Sequence, residues 1–408
     1  MRQPVVLVSS WPPRKCGIGT FAEEAAEFIR KALPQHPLKV VCHTDGAGTD
    51  VYPVIDLADG AWHERALAQI EQLDPYVVHF QHEYGLYEYV DQLGQGDENR
   101  RFLRLLDELK QRHIPTVVEP HTVHGRLRES EESFLESLAE LCDVLIFKCA
   151  YQKWRLGWTF TGRGAPLPTN IMIIPHGARP DRRYAADQIP QLKRELGLEV
   201  FEGKHVAGLV GWIQNNKRWD IVTDMWEELH SEIEAISGDD WYLLAAGDMR
   251  DPNHRPDFEK YVARIQLLAQ KGLAHFYQFV PRGDIYYKVM AICDYVILPS
   301  LDETQSGTLA RIIALNKPYI TTAPLEGLTS QTVESEGGLL FTDRSTLRRQ
   351  MLRLATDEGL RWDLGYNLYH YLTEKVSWQV VAKQYAEAYE LARASALDGV
   401  AVSIDPEF

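Results

Sequence analysis

The 408-residue sequence has no apolar run approaching the roughly 20 residues that cross a bilayer. Its first apolar stretch, Val5-Val6-Leu7-Val8, runs straight into Trp11-Pro12-Pro13 and is too short for the apolar core of a signal peptide. Cysteines are few and odd in number (Cys16, Cys42, Cys142, Cys149, Cys293), with no CxxC spacing. That argues against a disulfide framework or a zinc ribbon and for buried thiols. Excess positive charge is absent too: 43 Lys and Arg stand against 58 Asp and Glu, for a formal net charge of −15. A nucleic-acid binder needs a basic face, so that class is disfavoured. Contact with a membrane surface would need a local patch. No short-period repeat or low-complexity tract interrupts the chain, and together these features point to the cytoplasm.

What is present is alternation. Apolar content of 45% and charged content of 25% fit a globular protein, and the length exceeds one comfortable core. Apolar runs at Val5–Val8, Leu38–Cys42, Tyr76–Phe80, Pro115–Val118, Val144–Lys148 and Ile171–Ile174 read as strands. Helical stretches lie between them, at Thr20–Ala32, Trp62–Leu73, Asn99–Gln111 and Ser133–Leu141. A second series follows, with strands at Val206–Val210, Trp241–Ala245, Ala274–Phe279, Tyr295–Leu298 and Tyr319–Thr321. Its helices are expected at Trp219–Ile236, Asp257–Gln270, Asp284–Ile292 and Thr308–Leu315. Strands this apolar, separated by helices, predict α/β domains with parallel sheets covered on both faces. The expected domains are residues 1–185 and 186–375, with a last helix over about 376–396.

Ligands of doubly wound sheets bind beyond the carboxyl ends of the strands, and the polar clusters of this chain lie there. After the first strand comes Cys16-Gly17-Ile18-Gly19-Thr20, a glycine loop that serves either close approach to a ligand or a tight turn. His79-Phe80-Gln81-His82-Glu83 and Glu119-Pro120-His121-Thr122-Val123-His124 follow two further strands. Neither HxxH group reads as helical, so no metal site is expected. In the second half, Lys217 precedes a helix N-terminus, where the macrodipole disfavours a cation unless an anion sits between them. Beyond the strand ending at Leu298 runs PSLDETQSGTLARIIALNKP. Asp302 and Glu303 stand in its loop, and Ser306, Gly307 and Thr308 open its helix. That turn either caps itself or cradles a phosphate, since both uses draw on the same backbone N–H groups.

The segments PPRKCGIGTF, QHEYG, EPHTVHG, IIPHG, LLAAGD, FVPRGDI, CDYVILPSLDE and VSWQVVAKQY, in this order, resemble the retaining, GT-B-fold glycosyltransferases that use nucleotide-sugar donors (group 1, family 4 type). The similarity covers nearly the whole chain. It implies two doubly wound Rossmann-like domains with parallel sheets facing a cleft, the first on the acceptor side and the second on the donor side. The last helix would pack back onto the first. It further implies a metal-independent hexosyltransferase without a cofactor, moving a hexosyl group from a UDP- or GDP-sugar to an acceptor hydroxyl with retained configuration. The acceptor would be a saccharide, a polysaccharide precursor or a small molecule.

Carried onto this sequence, the resemblance gives Glu303, Lys217 and His121 catalytic roles. Gly17, Gly19, Ser306, Gly307, Thr308 and Arg311 would bind the donor and its phosphates, and Phe279, Val280 and Pro281 would face the base. His82, Glu83, His124 and Asp302 are further candidate substrate contacts. Two positions depart from the family pattern. Trp212 stands where an arginine is usual, and Arg311 where a second glutamate would accept ribose hydroxyls, which a guanidinium cannot do. These departures support an alternative: a catalytically weak GT-B protein that binds a nucleotide or glycan as a partner subunit.

Overall fold

The computed structural model describes residues 2–404 apart from 92, 125–126, 251, 302–303 and 325. The chain forms two compact units, Met1–Gly177 with Trp378–Phe408, and Ala178–Ser377.

The first unit is built on seven parallel strands: β1 (Val5–Ser9), β2 (Leu38–His43), β3 (Val51–Ile55), β4 (Val77–His82), β5 (Thr116–Pro120), β6 (Val144–Phe147) and β7 (Ile171–Ile173). Their spatial order is β3-β2-β1-β4-β5-β6-β7. Every residue of β1, β4, β5 and β6 is buried, as expected of strands covered on both faces. The sequence pattern missed β3 because Pro53 breaks it. The sheet tolerates that proline because β3 is an edge strand, where a lost backbone donor faces away from the ladder. It also missed the Ala150–Gly162 helix.

One face of this sheet is covered by two helices far apart in sequence. Gly17–Ala32 buries Phe21, Ala22, Ala25, Ala26, Phe28 and Ile29, a 3.6-residue periodicity. Trp378–Asp398 buries Trp378, Val381, Ala382, Tyr385, Ala388, Tyr389 and Ala392 in the same core. Trp378 stacks on Phe28 and lies so close to Gly177 that a β-carbon at 177 would overlap the indole. Only glycine fits there. Fully burying a side chain of this size contributes roughly 3 kcal/mol.

The second unit has six parallel strands: β8 (His205–Ile213), β9 (Trp241–Met249), β10 (Ala274–Gln278), β11 (Tyr295–Leu298), β12 (Tyr319–Thr322) and β13 (Gly338–Phe341). They lie in the order β10-β9-β8-β11-β12-β13. The edge strand β13, opened by glycine, had no counterpart in the sequence reading. The single helix expected over Trp219–Ile236 is two, Trp219–Thr223 and Trp226–Ser237. Strand order reverses at β1/β4 in the first unit and at β8/β11 in the second, and these switch points are where open α/β sheets hold ligands.

Candidate functional site

In the second unit, β8 and β11 pair only through Tyr295 with Ala207 and Val296 with Gly208. Beyond these residues the two strands part, and three chain segments converge on the gap. Gly211, near the end of β8, has a φ of 143°, which side-chain-bearing residues rarely adopt. A β-carbon built there would stand 3.1 Å from the Tyr286 hydroxyl and 3.5 Å from Thr308 Oγ1. Tyr286, on the Gly283–Ala291 helix, lies with its hydroxyl 2.7 Å from Thr308 Oγ1. Thr308 sits in the first turn of the Gly307–Ala314 helix, whose N-cap Ser306 accepts the Leu309 N–H at 3.3 Å. The Leu301 N–H donates to the Asn216 carbonyl at 2.8 Å, tying the loop after β11 to the turn after β8. A helix start, two hydroxyls and a bare backbone thus meet at the switch point, an arrangement suited to an anion carrying several oxygens.

Asp302 and Glu303, expected in this loop, lie outside the described residues. Lys217 ends the short 3₁₀ turn Asn215–Lys217 and is half-buried. The helix that follows has five residues, so little of the expected dipole conflict remains. Phe279 was expected to face a base, but it is buried against Tyr286, with ring centroids 5.7 Å apart. Pro281 is buried too, and of this trio Val280 is exposed, at 43%. Arg311 was expected at the phosphates. Its side chain instead turns back on its own helix, donating to the Gly307 carbonyl at 2.7 Å. Its guanidinium lies 5.0 Å from the Tyr286 ring centre and 5.5 Å from that of Tyr287. At 8% exposure, this arginine braces the turn from beneath.

In the first unit, the glycines expected in a loop belong to a helix: Gly17 is its first residue, after Cys16. A β-carbon at Gly17 would meet nothing, whereas one at Gly19 would come within 3.2 Å of Ser10 Oγ. The close approach that Gly19 permits is therefore to the chain itself, at the end of β1. His82, expected to touch substrate, is buried in a cage of rings. It stacks on Tyr87 and lies 4.9 Å from Phe102 and from Phe134, and burial lowers its pKa to about 3. Glu83 caps the short Tyr84–Tyr87 helix and accepts the Thr122 hydroxyl at 2.6 Å. His124 pairs with Glu131 at 2.7 Å.

His121 does lie at the end of β5. Its N–H donates to the His82 carbonyl at 2.9 Å, and its ring meets Phe21 edge-on at 4.9 Å. Phe21 also contacts His176 at 4.7 Å and Trp378 at 5.3 Å, and the Lys148 ammonium lies 4.5 Å from its centre. Four of the quoted segments, GIGTF, EPHTVHG, IIPHG and VSW, therefore meet around one phenylalanine. Burial lowers the pKa of His121 to about 4, Glu83 opposing and His79 adding to the shift. Among the described residues, no group of three or more His, Cys, Asp or Glu is placed to hold a metal. None of their helices is long and apolar enough to cross a membrane.

The sequence reading gave no site role to Phe21, Tyr286 or Lys148, and quoted Glu119 only as part of a polar cluster. Lys148 directly follows the apolar strand β6 and Glu119 follows the Val117-Val118 pair within β5, and a charge beside an apolar run was the available signal.

Residues 204–357 match the family described as Glycosyl transferases group 1. Compared by sequence with curated proteins, the chain finds no match. In fold it is similar to HepE of Anabaena, solved in complex with UDP-glucose: TM-score 0.68, 14% identity, 95% of this chain and 99% of that one covered. A glycosyltransferase from Rickettsia africae gives a TM-score of 0.70 at 12% identity, covering 96% and 98%. Sucrose-phosphate synthase of Thermosynechococcus elongatus gives 0.63 at 17% identity, covering 97% and 100%. At such identities the likeness is one of fold. That fold is GT-B, with two Rossmann-like domains.

Proposed function

Starting from a GT-B fold and a match of residues 204–357 to the group 1 glycosyltransferases, we propose that this protein transfers a hexosyl group from a nucleoside-diphosphate sugar to an acceptor hydroxyl, with retained configuration and without a metal. The observation that carries the reading is the convergence of Gly211, Tyr286 and Thr308 at the β8/β11 switch point, beside the Ser306 cap. The solved relative HepE binds UDP-glucose, which makes uridine nucleotides the first donors to try.

In this reading the diphosphate takes the backbone N–H groups of the Gly307–Ala314 helix start and the Thr308 hydroxyl, with Lys217 supplying the cation. Breaking the sugar–phosphate bond leaves its electron pair on the phosphate oxygen, and these groups stabilise the charge that develops there. The departing oxygen takes the proton of the acceptor hydroxyl as the new glycosidic bond forms on the same face. Glu303 holds the sugar hydroxyls; the first unit is assigned the acceptor, and His121 a catalytic role within it. UDP- and GDP-sugars are the co-substrates, and the reading is of a protein working in the cytoplasm.

The test is a thermal-shift screen of UDP, GDP and their sugars, followed by product analysis with a panel of saccharide acceptors. A donor-specific rise in melting temperature together with transfer supports the reading. Absence of any shift across the nucleotides sinks it. Binding without hydrolysis or transfer favours the second reading, a nucleotide-binding partner subunit, to which the inward turn of Arg311 lends support.

A further inference from the structure

Beneath His121 lies a polar cluster inside the first unit. The Glu119 side chain is 0% exposed, and four donors converge on its carboxylate. Lys148 pairs with Oε1, and the Tyr385 hydroxyl lies 2.9 and 3.1 Å from the two oxygens. His79 Nε2 lies 2.9 Å and Gln81 Nε2 2.7 Å from Oε2. A carboxylate has about four lone-pair positions, so this one is saturated, and saturation by donors favours its ionised form.

Hydrogen-bond direction then propagates outward. An ionised carboxylate only accepts, so Gln81 must turn its NH₂ toward Glu119 and its oxygen away. That oxygen lies 2.6 Å from His121 Nε2, and an amide oxygen only accepts. His79 joins the same cluster: its Nε2 lies 2.9 Å from Glu119 Oε2 and 3.0 Å from Gln81 Nε2, and its Nδ1 lies 2.8 Å from the Tyr389 hydroxyl. Both tyrosines belong to the Trp378–Asp398 helix, so the end of the chain completes a cluster begun by β4, β5 and the residue after β6.

We propose that Glu119 and Gln81 are positioning residues that hold His121 as its Nε2–H tautomer, which makes Nδ1 the acceptor atom of the ring. Any catalytic use of that atom rests on the function proposed above; the tautomer does not. A neutral imidazole in the opposite tautomer would set a lone pair against the Gln81 oxygen, a repulsive contact in a buried site. The Lys148 ammonium, held between Glu119 and the Phe21 face, supplies the counter-charge that the carboxylate needs in the interior. Burial alone pushes this lysine well below its ordinary pKa, so the pair depends on that contact.

The test is long-range ¹H–¹⁵N spectroscopy of the full chain labelled at histidine, with His121 assigned through His121→Gln. The wild type is expected to show a slowly exchanging Nε2–H proton and an unprotonated Nδ1 at His121. Gln81→Leu is expected to lose the protected proton, with exchange at least tenfold faster. The double variant Glu119→Leu with Lys148→Met removes both charges together and so avoids an orphaned ion in the core. It keeps Gln81 but is expected to lose the protection as well, because the amide is no longer oriented. An Nδ1–H signature in the wild type overturns the proposal, as does an unchanged protected Nε2–H in either variant. These spectra need no nucleotide, so failure of every transfer assay would count against the proposed function and leave this result standing.

Discussion

The hydroxyls of Tyr286 and Thr308 stand 2.7 Å apart, joining two helices that begin 24 residues from one another in sequence (283 and 307). If Thr308 gives its proton to a phosphate oxygen, Tyr286 is left as the donor to Thr308. The tyrosine then orients the threonine without touching the ligand. Tyr286→Phe keeps the ring against Phe279 and Arg311 and removes only the oxygen. One hydrogen bond of this kind contributes about 1 kcal/mol, so affinity for the nucleoside diphosphate found in the screen should fall about fivefold. Isothermal titration measures it, and an unchanged dissociation constant removes Thr308 from the phosphate site.

Lys217 is half-buried in a turn outside the regular elements, so truncating it should cost little stability. We expect Lys217→Ala to melt within a few degrees of the wild type while transfer slows roughly a hundredfold, the scale of one lost charge stabiliser at a leaving group. Glu303→Ala should act in the same direction. Steady-state kinetics of both variants are the check, and wild-type rates in the two together would end the assignment.

Gly247 pairs with Gly211 in the β8/β9 register, and a β-carbon at 247 would overlap the Gly211 carbonyl oxygen. The obstacle is backbone and cannot rotate aside. Gly247→Ala is therefore expected to destabilise the second unit by about 1–3 kcal/mol and to disturb Gly211 beside Tyr286. Urea unfolding followed by tryptophan fluorescence reads the first effect and nucleotide affinity the second. A variant indistinguishable from wild type in both would show that the two strands part without cost.

The two-sheet α/β architecture was legible because apolar runs and 3.6-residue periodicities are local signals. The edge strands escaped for different reasons: Pro53 in β3 is tolerated only at an edge, and Gly338 opens β13 where a β-carbon would overlap the Tyr319 ring, and sequence displays neither. The helix start at Ser306–Thr308 and its Ser306 cap were legible too, since a cap depends on neighbours in the chain. The Glu119 cluster was not. Tyr385 lies 266 residues from Glu119, and the sequence pattern reads it as one more apolar residue of the last helix. For Arg311 the position in the helix was legible, but the rings of Tyr286 and Tyr287 beside its guanidinium come from another element and were not.

Buried histidines of the first unit give the fold a defined acid response: His43 and His63 are lowered by burial, and His79, His82 and His121 are lowered further. Burial is the leading cause in each: His79 and His82 are lowered to about 3 and His121 to about 4, from an ordinary 6.5. The Lys148 charge adds to the shift at His79, and the Asn99 hydrogen bond opposes it at His82. Because these folded-state values are depressed, the three rings stay neutral in the native protein while the unfolded chain protonates them below 6.5. Between pH 6.5 and about 4 the unfolded state therefore binds more protons, and stability falls as pH falls. Near pH 5 unfolding should take up about three extra protons at His79, His82 and His121. The urea midpoint of the first unit is expected to be flat above pH 7 and to drop steadily from pH 6.5 to 4. His82→Phe fits the cage of Tyr87, Phe102 and Phe134 with a ring that cannot titrate. It should lower the proton uptake by about one and make the acid limb shallower. An acid limb as steep in this variant as in the wild type would mean that His82 is already protonated inside the ring cage.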